Sequence, residues 1–415
     1  MRVRRFFALG TVVAVSLSIP LTGGSISASP VAANAGAGKA STGDPITIMT
    51  IGEFEVAAAG SANPEVSGGV EARAQAINKA GGLKDASGAT HKLKVKVCNT
   101  NNDPNQATQC ARDAVDLGVA AVVGNFTALG GSVYPTLEAA GIPSIGPTAS
   151  DPTSLTSPVS FPLQSGIPGI FYDMPRILAQ AGSTKISLVY PDLAAAAQLV
   201  PIVDLAATAA GVEVVNKISV PLDAADLAPQ VEAATANGAD GIMAVVIGDQ
   251  TGRLIQGLDQ TGYDGALTTA SAFLTPALIK QLGKQLDGTF VVLNYPPSSA
   301  KKVPGIKAFN KDMKTFDKSL GLTDSALNSW LATYVFEKTV SGLDKITSAS
   351  VLAALNATAD VDTLGLTPTI NFTAPVKVAA FPLPRIFNPT VVEAQVKKSK
   401  VVSLKSPPEF VNPFG

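Results

Sequence analysis

Few residues in this chain are of types that perform chemistry, and their spacing narrows what they can do. There is a single histidine, His91, among 415 residues. It stands in Ala89-Thr90-His91-Lys92, just before an alternating stretch, and reads as a solvated turn residue. A Ser-His-Asp triad needs histidine as its base, and no G-x-S-x-G elbow occurs. Cys98 and Cys110 are the only cysteines. With one histidine they are too few for a zinc site, which wants several nitrogen or sulfur ligands. They are either a local disulfide or two buried thiols. No G-x-x-x-x-G-K-[ST] phosphate loop is present. The first strand runs into Glu53-Phe54-Glu55 and not into G-x-G-x-x-G, so a dinucleotide has no fingerprint here. No cofactor, no metal and no catalytic residue are expected.

Two kinds of polar group remain. Glu53 and Glu55 follow the first strand, at the sheet end that faces the crevice of an open α/β fold. Two carboxylates suffice for glycoside hydrolysis, and they are also suited to a cation or a sugar. The alternative is a solvated loop. Hydroxyl groups sit at two further strand ends, in Phe126-Thr127-Ala128 and in Thr148-Ala149-Ser150. Helix N-termini next to such strand ends offer free backbone N–H groups, which favour an anionic ligand group. Capping of the next helix is the plainer use of the same hydroxyls, and the two uses are compatible.

The elements that position these residues follow a regular rhythm. Ile46 to Ile51 alternates as a strand, and Glu65 to Ala80 has helical spacing with a stop at Gly81-Gly82. Lys92 to Val97 is a strand. Asp103-Pro104 is an N-cap with proline at the first helical position, opening a helix to about Leu117. Val119 to Val123 is an apolar strand. A helix over Leu129 to Ala140 and a strand at Ile142 to Ile145 follow. After a break near Pro158 to Pro168 the rhythm resumes. Strands are predicted at Lys185–Tyr190, Val212–Val220, Gly241–Ile247, Ala266–Thr269 and Thr289–Leu293. Helices separate them, at about Pro168–Ala181, Ala194–Ala210, Asp226–Asn237, Gln250–Thr261 and Pro276–Leu282. Short apolar strands alternating with helices make parallel sheets covered on both faces. Two such runs make two doubly wound lobes. Long helices at Lys301–Leu320 and Asp324–Leu343 and a shorter one at Ala349–Asn356 come next, followed by a proline-rich tail with short β-type segments at Thr369–Phe372 and Val391–Val396.

Composition limits the partners. Apolar residues make up 46% and charged residues 15%, and the formal net charge is -1, so the chain is foldable and has no footprint for nucleic acid. The nearest approach to a long basic run, Lys397, Lys398 and Lys400, reads as a solvated strand edge. At the N-terminus, Arg2, Arg4 and Arg5 precede an apolar run from Phe6 to Leu21 and then small residues. That is the layout of a secretory signal peptide, with Ala33-Asn34-Ala35 as the cleavage site and Ala28 as a second candidate. Residues 1–35 are read as the signal peptide and 36–43 as a flexible leader. The apolar run is short for a membrane span, and no other stretch is long enough. The mature protein is therefore expected to be exported to the periplasm or to the extracellular space or cell envelope, soluble after removal of the signal peptide, without stable membrane insertion.

Several segments, in order, resemble the periplasmic leucine/isoleucine/valine-binding protein family, the type I solute-binding proteins. Ala76-Ile77-Asn78-Lys79-Ala80-Gly81-Gly82-Leu83 is similar to the stop of the family's first helix, and Asp103-Pro104-Asn105-Gln106-Ala107 to its next helix start. Val122-Val123-Gly124, Ala140-Gly141-Ile142-Pro143-Ser144-Ile145 and Gly146-Pro147-Thr148-Ala149-Ser150 resemble its strand ends and loop. Asn328 to Tyr334 resembles its late helix with a Thr-Tyr pair. The resemblance runs from about Pro45 to Phe387. It implies a Venus-flytrap of two α/β lobes joined by three hinge strands and closing on one ligand. The N-lobe would be 44–164 plus 297–366, and the C-lobe 165–296 plus 367–415. It also implies a monomer that captures a small-molecule ligand, delivers it to the permease and ATPase subunits of an ABC importer, and is not an enzyme.

In amino-acid binders of that family the two hydroxyl loops hold the ligand α-carboxylate. Carried over, this gives Phe126, Thr127, Ala128, Thr148, Ala149 and Ser150. The other half departs from the family pattern. Ala195 falls where a tyrosine is usual, Ile247 falls at a second tyrosine position, and Ser271 falls where the acidic partner of the ammonium is expected. A buried ammonium without such a partner is costly. The expected ligand is therefore an aliphatic or aromatic carboxylate, with Phe54, Phe126, Tyr190, Ile247 and Phe273 on its apolar side; Glu53, Glu55 or Asp249 would have to replace the missing acid for an amino acid to fit. A sensor of the same fold acting on a membrane receptor and a hydrolase using Glu53 and Glu55 are the alternatives.

Overall fold

A computed structural model describes residues 43–55, 63–197, 199–378 and 383–415. The signal-peptide reading and the leader up to residue 42 lie outside the described residues.

In the first half of the chain, β1 (Ile46–Gly52) is followed by α1 (Pro64–Lys79), a small hairpin of β2 (Leu83–Lys84) and β3 (Thr90–His91), and β4 (Leu93–Asn99). Then come α2 (Pro104–Asp116), β5 (Ala121–Val123), α3 (Gly130–Ala140), β6 (Ser144–Ile145) and β7 (Ser160–Phe161). These strands form a five-stranded parallel sheet in the order β4-β1-β5-β6-β7. Asp103 caps α2 as expected, accepting from the Asn105 and Gln106 N–H groups at 2.8 and 2.9 Å. Cys98 and Cys110 form a disulfide between the end of β4 and the middle of α2, with Cα atoms 5.8 Å apart. His91 is not a free turn residue. Its Nδ1 lies 2.7 Å from the Asp44 carbonyl oxygen and its Nε2 3.2 Å from Asp85 Oδ2, so it ties the start of the first strand to the hairpin.

The second half starts with α4 (Gly166–Gln180), β8 (Lys185–Pro191), α5 (Ala194–Ala197), α6 (Val200–Ala210) and β9 (Glu213–Val220). It continues through α7 (Ala228–Thr235), β10 (Gly241–Ala244), α8 (Asp249–Thr261), β11 (Ala266–Ala270), α9 (Pro276–Leu282) and β12 (Phe290–Leu293). The single helix expected over Ala194–Ala210 is broken. Pro201 lies in the first turn of α6, where its missing N–H costs nothing; inside a continuous helix it would remove a hydrogen bond. The chain then returns to the first sheet with α10 (Pro304–Phe316), α11 (Asp324–Val340) and α12 (Ser348–Ala357), and ends with β13 (Val392–Val396) and β14 (Val401–Ser403). The second sheet has seven strands in the order β14-β13-β12-β11-β10-β8-β9. Its β8 to β12 are parallel, and β13 and β14 are antiparallel additions at one edge.

Each sheet organises its own core. Trp330, Phe336, Phe309 and Phe161, all essentially inaccessible, pack with the α1 face over the first sheet. Gly69 permits this closeness, because a Cβ there would lie 2.3 Å from the Ala326 carbonyl oxygen on α11. Met174, Ile177, Ile186, Val203 and Met243 form a core on the second. The tail divides between them. Ile370, Phe372 and Phe387 join the first core, with Phe372 edge-on to Phe161 at 5.1 Å, whereas the sequence reading put everything after 366 with the second lobe. Burial of three large apolar side chains decides the side on which that segment packs. The chain passes between the sheets three times, after β7, after β12 and before β13. The crossings are tied to one another: Ser165 Oγ donates to Asn294 Oδ1 at 3.3 Å, and Asn388 Nδ2 donates to the Leu163 carbonyl at 3.1 Å.

Candidate functional site between the lobes

The site begins where β1 and β5 end side by side. Gly52 bridges to Phe126, and a Cβ on Gly52 would lie 2.5 Å from the Phe126 carbonyl oxygen. Only glycine allows the two loops to touch. The contact brings Thr127 to Glu53: Thr127 Oγ1 donates to Glu53 Oε1 at 2.7 Å, and Thr100 Oγ1 donates to the same oxygen at 2.7 Å. The loop after β6 stacks on the same edge. The Thr148 N–H and Oγ1 both donate to the Asn125 carbonyl, each at 2.9 Å, and Ser150 Oγ donates to the Thr127 carbonyl at 3.2 Å.

These loops form one wall of a cavity of about 320 Å³ between the two lobes. The first-lobe wall includes Glu53, Phe126, Thr127, Ala128, Thr148, Ser150 and Gln164. The second-lobe wall is chiefly apolar and reaches inward between α4, α6 and the sheet, past Ile170, Phe171, Leu188, Val203 and Val245. Tyr190, Ile247, Ser271 and Phe273 stand at the strand ends of that lobe and also line the cavity.

A further polar residue comes from the late part of the chain. Asp324 opens α11, just after its N-cap Thr323, and lines the cavity. Its Oδ2 accepts from the Asn294 N–H at 3.1 Å and from Ser271 Oγ at 3.2 Å. Burial pushes its carboxyl up to about 6, against the opposing pull of those hydrogen bonds. No residue pattern around Thr323-Asp324 marks it beyond a helix start with an acid in the first turn; that it meets Ser271 is a tertiary fact.

The sequence-derived residues do not all converge. Phe126, Thr127, Ala128, Thr148, Ser150, Tyr190, Ile247, Ser271 and Phe273 line the cavity. Phe54 does not: it is 1% exposed and turned into the protein, as the alternation of an extended chain requires beside the cavity-lining Glu53. Ala149 is 1% exposed and packs with Leu155, Val378 and Ile386. Its φ of 53° makes the turn that aims Thr148 and Ser150, so its part is in the backbone. Ala195 lies in α5, and its neighbour Ala196 lines the cavity. Glu55 and Asp249 are exposed and not on the cavity wall.

Two mostly parallel α/β lobes, crossed three times by the chain and enclosing a cavity at their strand ends, define the class of two-lobed binding proteins. The chain belongs to the periplasmic binding protein family, which it matches over residues 45–381. No curated protein matches it significantly in sequence. Among solved structures it is similar to an ABC transporter substrate-binding protein of Aeropyrum pernix, with TM-score 0.74, 17% identity, and coverage of 89% of this chain and 97% of that one. It is also similar to a fatty acid ABC transporter substrate-binding protein of Thermomonospora curvata, with TM-score 0.72, 16% identity, and 89% and 92% coverage. A third is the branched-chain amino acid transporter substrate-binding protein of Streptococcus pneumoniae in complex with isoleucine, with TM-score 0.67, 16% identity, and 89% and 100% coverage. At these identities the likeness is one of fold. Among the described residues, no helix is long and apolar enough to cross a membrane.

Proposed function

We propose that this protein is an exported receptor that captures a small organic solute with an apolar body in the interlobe cavity and delivers it to the permease and ATPase subunits of an ABC importer. The observation that carries the reading is the division of the cavity wall. Hydroxyl, amide and carboxylate groups gather on the first-lobe side, and aliphatic and aromatic side chains line the recess in the second lobe. A solute held there has a polar end toward Glu53, Thr127 and Thr148 and an apolar end between α4 and α6. The cavity has room for on the order of ten non-hydrogen atoms, at about 30 Å³ for each water-sized group. The solutes of two similarly folded proteins, isoleucine in one and a fatty acid in the other, both have apolar bodies.

Binding without turnover is the reading for the polar groups. Glu53 is held by two threonine hydroxyls, and Glu55, the second acid of the hydrolase alternative, is exposed and away from the wall.

Native mass spectrometry of protein purified from its own host tests this. The expected result is a retained small organic molecule, released on denaturation, whose formula has a continuous apolar portion. Retention of a free sugar or another wholly polar solute would contradict it.

A further inference from the structure

The polar end of the cavity has a hydrogen-bonding direction. The acceptors of its hydroxyl bonds are backbone carbonyls, which can only accept, and carboxylates. Thr148 Oγ1 must therefore spend its hydrogen on the Asn125 carbonyl, and Ser150 Oγ must spend its hydrogen on the Thr127 carbonyl. Thr127 Oγ1 spends its hydrogen on the Glu53 carboxylate. Ser271 Oγ likewise donates to Asp324 Oδ2. One Gln164 N–H goes to the Pro147 carbonyl. What these groups turn toward a solute is lone pairs, together with two carboxylates, Glu53 and Asp324.

Nothing on the wall offsets those two negative charges. Among the described residues, no lysine, arginine or histidine lines the cavity. The undescribed internal segments 56–62, 198 and 379–382 contain none of these residues in their sequence. The remaining lining donors, such as the Tyr190 hydroxyl and the second Gln164 N–H, are neutral. A solute carboxylate would be a third negative charge in a largely apolar site, without a cation to pair it.

We infer that the solute's polar end is a hydrogen-bond donor, a protonated amine or a hydroxyl group, recognised by Glu53 and Asp324, and that a simple carboxylate is excluded. This rests on the reading of the cavity as the site of an apolar-bodied solute. It departs from the carboxylate expected from the sequence on helix-terminal N–H groups and loop hydroxyls, because those hydroxyls are already committed and two carboxylates stand on the same wall. Asp324 supplies the acid that is missing at Ser271 in the second lobe: the serine stands at the expected position and donates to the aspartate across the cleft.

The test uses three solutes with one apolar body, heptylamine, heptanol and heptanoate, titrated calorimetrically into the mature protein, the Glu53→Gln variant and the Asp324→Asn variant. In the unsubstituted protein the amine is expected to bind at least tenfold more tightly than the acid, the equivalent of about 1.4 kcal/mol, with the alcohol between them. Either substitution is expected to shrink the amine-to-acid ratio at least threefold, and an unchanged circular dichroism spectrum with a cooperative thermal melt shows that each variant is folded. Heptanoate binding as tightly as heptylamine, or a ratio unchanged in both folded variants, overturns the inference and leaves the apolar cavity standing. Failure of all three solutes to bind overturns the underlying reading as well.

Discussion

At the scale of single residues, two carboxyls stand far from their ordinary behaviour in places water does not reach. Asp173 on α4 is fully buried; Arg176 Nε donates to its Oδ1 at 2.7 Å, and its Oδ2 has no hydrogen-bond partner. Burial pushes its carboxyl from 3.8 up to about 7, with Arg176 pulling it down and Glu393 pushing it further up. The folded protein therefore holds this proton more tightly than the unfolded chain. The stabilisation is present in full below about pH 4, declines as pH rises between the two values, and is lost above about pH 7. Asp173→Asn keeps the neutral form at every pH, so its melting temperature relative to wild type should move in the variant's favour by several degrees, roughly, between pH 5 and pH 8. Thermal melts at the two pH values check this; a difference that does not change with pH would show that Asp173 does not hold the proton. Apart from Phe54, the threonines, serines and aromatics at strand ends were legible as wall residues because a parallel sheet presents its strand ends to the crevice. Asp324 was not, since the first acid of a helix is ordinarily only a favourable charge near its N-terminus.

At the scale of elements, strands and helices were legible from their apolar periods, and their interruptions less so. The recess in the second lobe is an instance. Leu188, Val203 and Val245 are each at most 2% exposed, and all three line the cavity. An apolar residue facing an internal cavity has the same periodicity as one facing a packed core, so no pattern separates them. The break between α5 and α6 marks the place, because it lets Ala196, Leu199 and Val200 turn toward the recess. Filling the recess from α6 should therefore cut solute length and leave the polar end intact. Val203→Trp is expected to weaken binding of a solute with an eight-carbon body at least tenfold and that of a four-carbon body less than threefold, by calorimetric titration. Equal losses for both would mean that the recess does not hold the solute. Overpacking of this kind commonly costs about 1–3 kcal/mol of stability, so a melt accompanies the titration.

At the scale of the whole molecule, two successive βα runs correctly implied two lobes, because each parallel sheet needs helices on both faces and its own core. What the runs did not disclose is how the chain's end is distributed. The segment through Phe372 and Phe387 buries itself beside Phe161 in the first lobe, and only then does β13 cross back to pair antiparallel with β12. Short tail segments lack the periodicity that would assign them to one sheet or the other. The outcome of this arrangement is a cavity whose more polar and more apolar walls belong to different lobes. The central claim is that the recess holds the solute's apolar body, and a neutral series tests it without reference to charge: primary alcohols of four to ten carbons titrated calorimetrically into the mature protein. Affinity should rise roughly fourfold with each methylene, about 0.8 kcal/mol apiece, and level off once the recess is full. Affinity that does not depend on chain length, or absence of binding throughout the series, would contradict it.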